Sequence, residues 1–439
     1  MDSTAALEDV SIESELAAEA GDPRRTARLQ RVAAAMSRHP DLSFPDMMED
    51  SAAMEGLYRI LRNQHLSFDT VFSAHQQRTA ARAGELDEVL LIHDTTQFSW
   101  ALRDECLREH LGRFSSSRQG FMAHFSMVAS ADGLRAPLGT IGVDAYVHAA
   151  EVDENSLEFW QAQFGAHESE GERWVAAIAA GEAALEHECV IHVCDREADR
   201  NDVLKWMHEH EGRFVVRWYQ HSRRDVKGRT VREALEDESF TATRTIELSP
   251  RSLQGVPPNS RHFPPRAKRK ALLHFRACEF QLKLGDGTVI PMRLVEAVEL
   301  EAPADEEPIH WILMSSEPAE SAEELMRVID LYRSRWLIEE FFKAVKTGCA
   351  YETRQLDSAR TLLIALALAI PVAWRLLALR HLSRHAEDMP AAAILNELQI
   401  ALLRARMPKQ FRSANPNVAE ALAAVAAIAG HHRSNGPPG

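Results

Sequence analysis

Three carboxylates stand in settings suited to chemistry. Asp94 follows the apolar run "VLLIH" and Asp195 follows "VIHVC", so each falls where a buried strand is predicted to run out. Open α/β sheets carry their functional groups at the carboxyl ends of strands. Glu339 lies in "YRSRWLIEEFFKAVKTG", residues 332–348, which reads as a helix. At ~100° per residue, Tyr332, Arg335, Glu339, Lys343 and Lys346 share one face and Leu337, Ile338, Phe341 and Val345 the other. Three carboxylates meeting in one hollow repel one another and are tolerable only around cations. An all-oxygen set suits Mg²⁺ or Mn²⁺. Two such ions ~3.5–4 Å apart can activate an attacking oxygen and stabilise a leaving one in phosphodiester transfer. The arginine, the lysines and the tyrosine hydroxyl would then face a phosphate chain. Read one at a time, each aspartate is equally a turn or cap residue, and the stripe equally a solvated face with charge pairs four apart.

The elements that must position these groups follow from the hydrophobic period. Residues 1–80 read as a helical module, with Asp22 as N-cap and Pro23 at the first helical position. Residues 81–221 alternate strands with helices, which indicates an α/β core. Residues 222–300 read as a β-rich insertion: "TATRTIEL", "KALLHFRACEFQLKL" and "TVIPMRLVEAVEL", with "LGDGTV" as a hairpin turn and "RHFPPRAKRK" as a basic loop. Residues 301–350 return to the core through the strand "IHWILMSS" and a helix opened by a Ser321–Glu324 capping box and closed at Gly348. Residues 351–439 read as a C-terminal helical region.

Composition excludes several classes. Five cysteines without a Cys-x-x-Cys pair argue against a disulfide framework or a zinc site; Cys189 and Cys194 read as small buried apolar residues. The acidic N-terminus lacks the pattern of a secretory signal. The apolar run at 362–374 is too short to span a bilayer and reads as a core helix, so no membrane partner is expected and a cytoplasmic location is. The net charge of −15 taken whole speaks against nucleic acid, but residues 213–276 hold fifteen Lys/Arg against six Asp/Glu. A polyanion responds to charge within about a Debye length and not to the sum over the chain.

The stretch 332–348 resembles the Tyr-x2-Arg-x3-Glu-x6-Lys signature of the DDE transposases of bacterial insertion sequence family four, Tn-five-type, with Tyr332, Arg335, Glu339 and Lys346 at its four positions. "GDPRRTARL", "IHDTTQFS", "VCDREAD", "RFVVR" and "HWILMSSEPAES" extend the resemblance from about residue 15 to about 380. It implies an RNase H-like core in which Asp94, Asp195 and Glu339 hold two Mg²⁺ or Mn²⁺ ions, and a cut-and-paste reaction that passes through hairpinned transposon ends to strand transfer into target DNA. It implies that Trp311 receives a flipped base, that Arg217 contacts DNA beside it, and that Arg24, Arg25 and Arg28 touch the transposon end. Arg266, Lys268, Arg269 and Lys270 resemble a basic stretch that makes sequence-independent phosphate contacts. The implied partners are inverted-repeat and target DNA and a second copy of the chain in a paired-end complex. Family members continue past the equivalent of "HHRSNGPPG", so part of the pairing surface is expected to be missing. Two alternatives follow: a truncated, non-catalytic DNA-binding regulator, or a plain metal nuclease on the same fold.

Overall fold

The computed structural model describes every residue except 1–2, 8, 17–21, 49, 103–106, 249, 251–265, 305, 387, 409–410, 412 and 429–439. Residues 261–265 of the expected basic loop and the terminal "HHRSNGPPG" therefore lie outside the described residues. The chain divides into two compact units. Unit 1 comprises residues 1–169, 176–190 and 336–439; unit 2 comprises residues 170–175 and 191–335.

Unit 1 opens with helices at Pro23–Arg38, Ser51–Leu61 and Phe68–Ala83. Asp22, Asp50 and Ser67 cap them, each accepting a hydrogen bond from a backbone N–H of the first turn, as short polar side chains do at helix starts. Four strands follow: β1 (Val89–Ala101), β2 (Gly112–Arg113), β3 (Arg118–Ser130) and β4 (Pro137–Tyr146). All pairings are antiparallel; β3 carries β1 along one edge and β2 and then β4 along the other. The core of the unit is the helix Ala359–His385. It is long and apolar enough to cross a membrane, but 83% of its apolar window is buried inside the protein. It runs well beyond the apolar stretch read from the sequence and passes through Pro371. Its Trp374 indole N–H donates to the Pro137 carbonyl at 2.7 Å, which satisfies a buried polar group.

Unit 2 holds a mixed sheet of six strands: β5 (Val190–Cys194), β6 (Arg213–Arg217), β7 (Ala242–Leu248), β8 (Arg269–Lys283), β9 (Val289–Glu299) and β10 (His310–Ser315). Their order is β5-β6-β10-β9-β8-β7. Only β5 and β6 pair in parallel, joined by the crossover helix Asn201–Glu209, which such a pair requires. The three runs read as strands form β7–β9, with an additional short helix at Val231–Glu236 opened by a Thr230–Glu233 capping box. The expected Ser321–Glu324 box opens the helix Ala322–Ser334.

The structure corrects three local expectations. β1 does not stop at Asp94: it pairs with β3 from Val89 to Ala101, so Asp94 lies mid-strand. Residues 332–348 are not one helix. The helix Ala322–Ser334 ends at Arg335, a new one runs Trp336–Lys343, and a π-helical turn completes it at Ala344–Gly348. Cys194 is buried as expected, but Cys189 is exposed.

Candidate active site

In unit 1, Asp94 lies on β1, Glu339 on the helix Trp336–Lys343 and Lys346 on the π-helical turn that follows it. Asp94 is buried, and its Oδ1 accepts the Thr95 N–H at 2.9 Å. Side chains alternate across a strand, so Phe98 shares the Asp94 face, as does Phe125, directly opposite Asp94 in the register. Phe125 packs on Phe341 and Phe342 with ring centroids 5.8 and 5.4 Å apart. Leu337, Ile338, Phe341 and Val345 are all buried, so the apolar side of this helix is the one the sequence marks. Phe98 lies 4.9 Å from the Tyr351 ring, edge to face, and 5.4 Å from the Lys346 ammonium. Glu352 ties the turn after the π-helix to β1, accepting the Ser99 N–H at 2.9 Å. Burial pulls the Lys346 pKa down, while the charges of Glu352 and then Glu339 oppose it. Lys343 is exposed. Glu352 was not singled out from sequence; its signal is the position just beyond Gly348, where the chain turns back toward β1.

In unit 2, Asp195 caps the turn Arg196–Ala198, its Oδ1 accepting the Glu197 N–H at 2.8 Å. Burial first, then the like charges of Asp195 and Glu170, raise the Glu197 pKa. Around Tyr332 the fold gathers Trp311, Arg335, Arg217 and Asp195. Trp311 and Tyr332 meet edge to face at 5.7 Å. Arg217 acts electrostatically on Tyr332, and its Nη2 donates to the His310 carbonyl at 3.5 Å. Desolvation raises the Tyr332 pKa, opposed by Arg335 and Arg217 and reinforced by Asp195. Tyr332 is only 6% exposed; it is a packed partner of Trp311 and not an outward member of an open stripe. Asp330 holds this helix to the β-rich insertion: Arg244 of β7 donates to its two oxygens at 2.7 and 3.0 Å, and Arg333 adds a third bond at 3.0 Å.

Elsewhere in unit 1, Arg24 and Arg28 are exposed on the first turns of the helix Pro23–Arg38 and Arg25 is half-buried. In unit 2, Arg266 is half-buried and Lys270 exposed, and Lys268 pairs with Glu247 at 3.2 Å. Arg269 departs from the sequence expectation. Its guanidinium is engaged by Glu299, which is 2% exposed, and by Glu306, and these bonds raise its pKa further. A cation so neutralised is not a phosphate contact; its partners lie thirty and more residues along the chain, out of reach of a local reading.

Within neither unit do three described His, Cys, Asp or Glu side chains gather closely enough to hold a metal ion. The chemistry of the three predicted carboxylates nonetheless fits hard divalent cations, which take oxygen ligands.

A mixed α/β core bearing carboxylates and, in unit 2, a Trp–Tyr pair with arginines follows a helical module with exposed arginines. The family model described as "Transposase DNA-binding" matches residues 11–66, which contain Arg24, Arg25 and Arg28. The model described as "Transposase DDE domain" matches residues 145–370, more than half of the chain. Asp195 and Glu339 fall inside that span and Asp94 before it. The chain therefore belongs to the DDE-domain transposases, enzymes that cleave DNA and transfer its strands. The DDE domain is RNase H-like in general.

Proposed function

We propose that this transposase is a cut-and-paste enzyme of insertion sequence family four, with Asp94, Asp195 and Glu339 as its catalytic carboxylates. The observation that supports the reading is the grouping of Trp311, Arg335, Arg217 and the strand-end Asp195 about the signature residue Tyr332 in unit 2. The three carboxylates would hold Mg²⁺ or Mn²⁺, two ions in all. When bound, such ions activate the attacking oxygen and stabilise the leaving one. The protein's own groups bind and orient. Arg335 and Lys346 offer positive charge to the phosphate chain, and the packing of Tyr332 on Trp311 holds the helix end that carries Arg335. Trp311 offers a flat apolar partner to a flipped base, which offsets lost stacking. Arg24, Arg25 and Arg28 contact the transposon end; Arg266, Lys268 and Lys270 contact phosphates without reading sequence. Water cuts one strand, the freed 3′-OH attacks the opposite strand to form a hairpin, a second water opens it, and the 3′-OH then attacks target DNA. A homodimer holds two ends in a paired complex, in the cytoplasm at the nucleoid. Product analysis tests the reading: incubation with inverted-repeat DNA and Mn²⁺ should yield hairpin ends and joined target strands, whereas simple nicks alone would overturn it.

A further inference from the structure

The loop after β6 presents an aromatic ring to solvent on an unusually well-held backbone. Tyr219 is 56% exposed. Its N–H donates to Asp199 Oδ2 at 2.7 Å and the Gln220 N–H to the same oxygen at 2.6 Å. Asp199 is fully buried and is paired at its other oxygen with Arg223 at 2.7 Å. One residue earlier, the Trp218 N–H donates to the Ile312 carbonyl at 2.9 Å, and its indole N–H to the Gln220 carbonyl at 3.0 Å. The loop is therefore locked by a buried ion pair and by β10, not by any contact made with the Tyr219 ring.

The ring's surroundings are cationic and aromatic in alternation. The exposed Arg196 guanidinium lies 5.9 Å from the Tyr219 ring centroid, and the exposed Arg232 lies 5.9 Å from that of Trp218. Arg217 immediately precedes the pair. An exposed flat ring held rigid costs little further ordering when it stacks, and arginines beside it supply both phosphate attraction and cation–π contact. Rings interleaved with cations are the pattern that grips unpaired nucleic acid: every base has a π-face, but a duplex hides it.

We propose that Tyr219 is a stacking platform for an unpaired nucleobase of the DNA strand, with Arg196 and Arg232 holding its flanking phosphates. The proposal rests on the chain's action on DNA, and adds a site distinct in residues from Trp311. Only the ring face does the work, so the hydroxyl is dispensable.

The test is equilibrium binding by the full chain in EDTA, so that no cleavage intervenes and the cut-and-paste reading is not at stake. The probes are a duplex oligonucleotide and the same duplex carrying a single-stranded gap with 2-aminopurine in it. Stacking is worth about 1–3 kcal/mol per base, so Tyr219→Ala should weaken gapped-DNA binding roughly tenfold while leaving duplex binding within about twofold of wild type. Tyr219→Phe should bind as wild type does, and both should quench 2-aminopurine where the alanine variant does not. Because the ring is exposed, no variant should lower the melting temperature. Unchanged gapped-DNA affinity in Tyr219→Ala, equal losses on both DNAs, or a phenylalanine variant as weak as the alanine one would overturn the proposal.

Discussion

Glu15 is the residue whose removal should most disturb unit 1. It lies in the segment matched by the transposase DNA-binding model and is fully buried. Arg82, itself 5% exposed, gives it two hydrogen bonds at 2.6 and 3.3 Å. His75 Nδ1 donates a third. The Arg82 guanidinium also sits 4.0 Å from the Trp374 ring centroid and donates through Nε to the Leu138 carbonyl at 2.6 Å. One carboxylate thus links the N-terminal segment to the helix Phe68–Ala83 and, through Arg82, to β4 and the central helix. Glu15→Ala strands Arg82 as a buried cation. Removing one partner of a buried pair costs roughly 3–5 kcal/mol. At about 2 °C per kcal/mol, the slope for a large unit, the melting temperature should fall by about 6–10 °C. The double variant Glu15→Ala/Arg82→Met should recover much of that loss, because the stranded charge is gone. Urea denaturation of the single and double variants measures both quantities. A single-variant loss below about 1 kcal/mol, or a double variant as unstable as the two single losses summed, would refute the reasoning.

Three further outcomes follow. Stability should decline as pH falls below about 6.5, the unperturbed histidine value. Burial, partly opposed by Glu15, lowers the His75 pKa, and Nε2 must accept the Thr140 N–H at 3.1 Å. The unfolded chain therefore binds the proton first and stability rises with pH through that window, which thermal melts at pH 5, 6 and 7.5 would show. Arg28→Ala should weaken binding to transposon-end DNA and flatten the salt dependence by about one counterion; anisotropy titrations with an unchanged slope would remove Arg28 from the interface. Arg269→Ala should leave DNA affinity intact while lowering the melting temperature, because it strands buried Glu299; weaker binding with an unchanged melt would restore it as a phosphate contact.

Much of this arrangement is legible along the chain, where the signal is local. The turn after β5, the capping box at Ser321, the strands β7–β9 and the buried side of Leu337, Ile338 and Phe341 all follow from neighbouring residues and their period. What fails to show is set by distant partners. β1 continues past Asp94 because β3 pairs with it residue for residue, although "TTQFS" looks like a turn. Tyr332 turns inward because Trp311 offers it a ring, which no helical wheel contains. Glu15 meets His75 and Arg82 across 60 and 67 residues, and each alone reads as an ordinary polar residue.

The central claim is that Asp94, Asp195 and Glu339 serve one metal-dependent cleavage reaction. The most direct measurement compares wild type with Glu339→Ala on inverted-repeat DNA, scoring binding by gel shift in EDTA and cleavage after adding Mn²⁺. The account predicts that the variant binds within about twofold of wild type and that cleavage falls below detection, a loss of about a thousandfold or more, equivalent to roughly 4 kcal/mol of transition-state stabilisation. Cutting by the variant at the wild-type rate would contradict it.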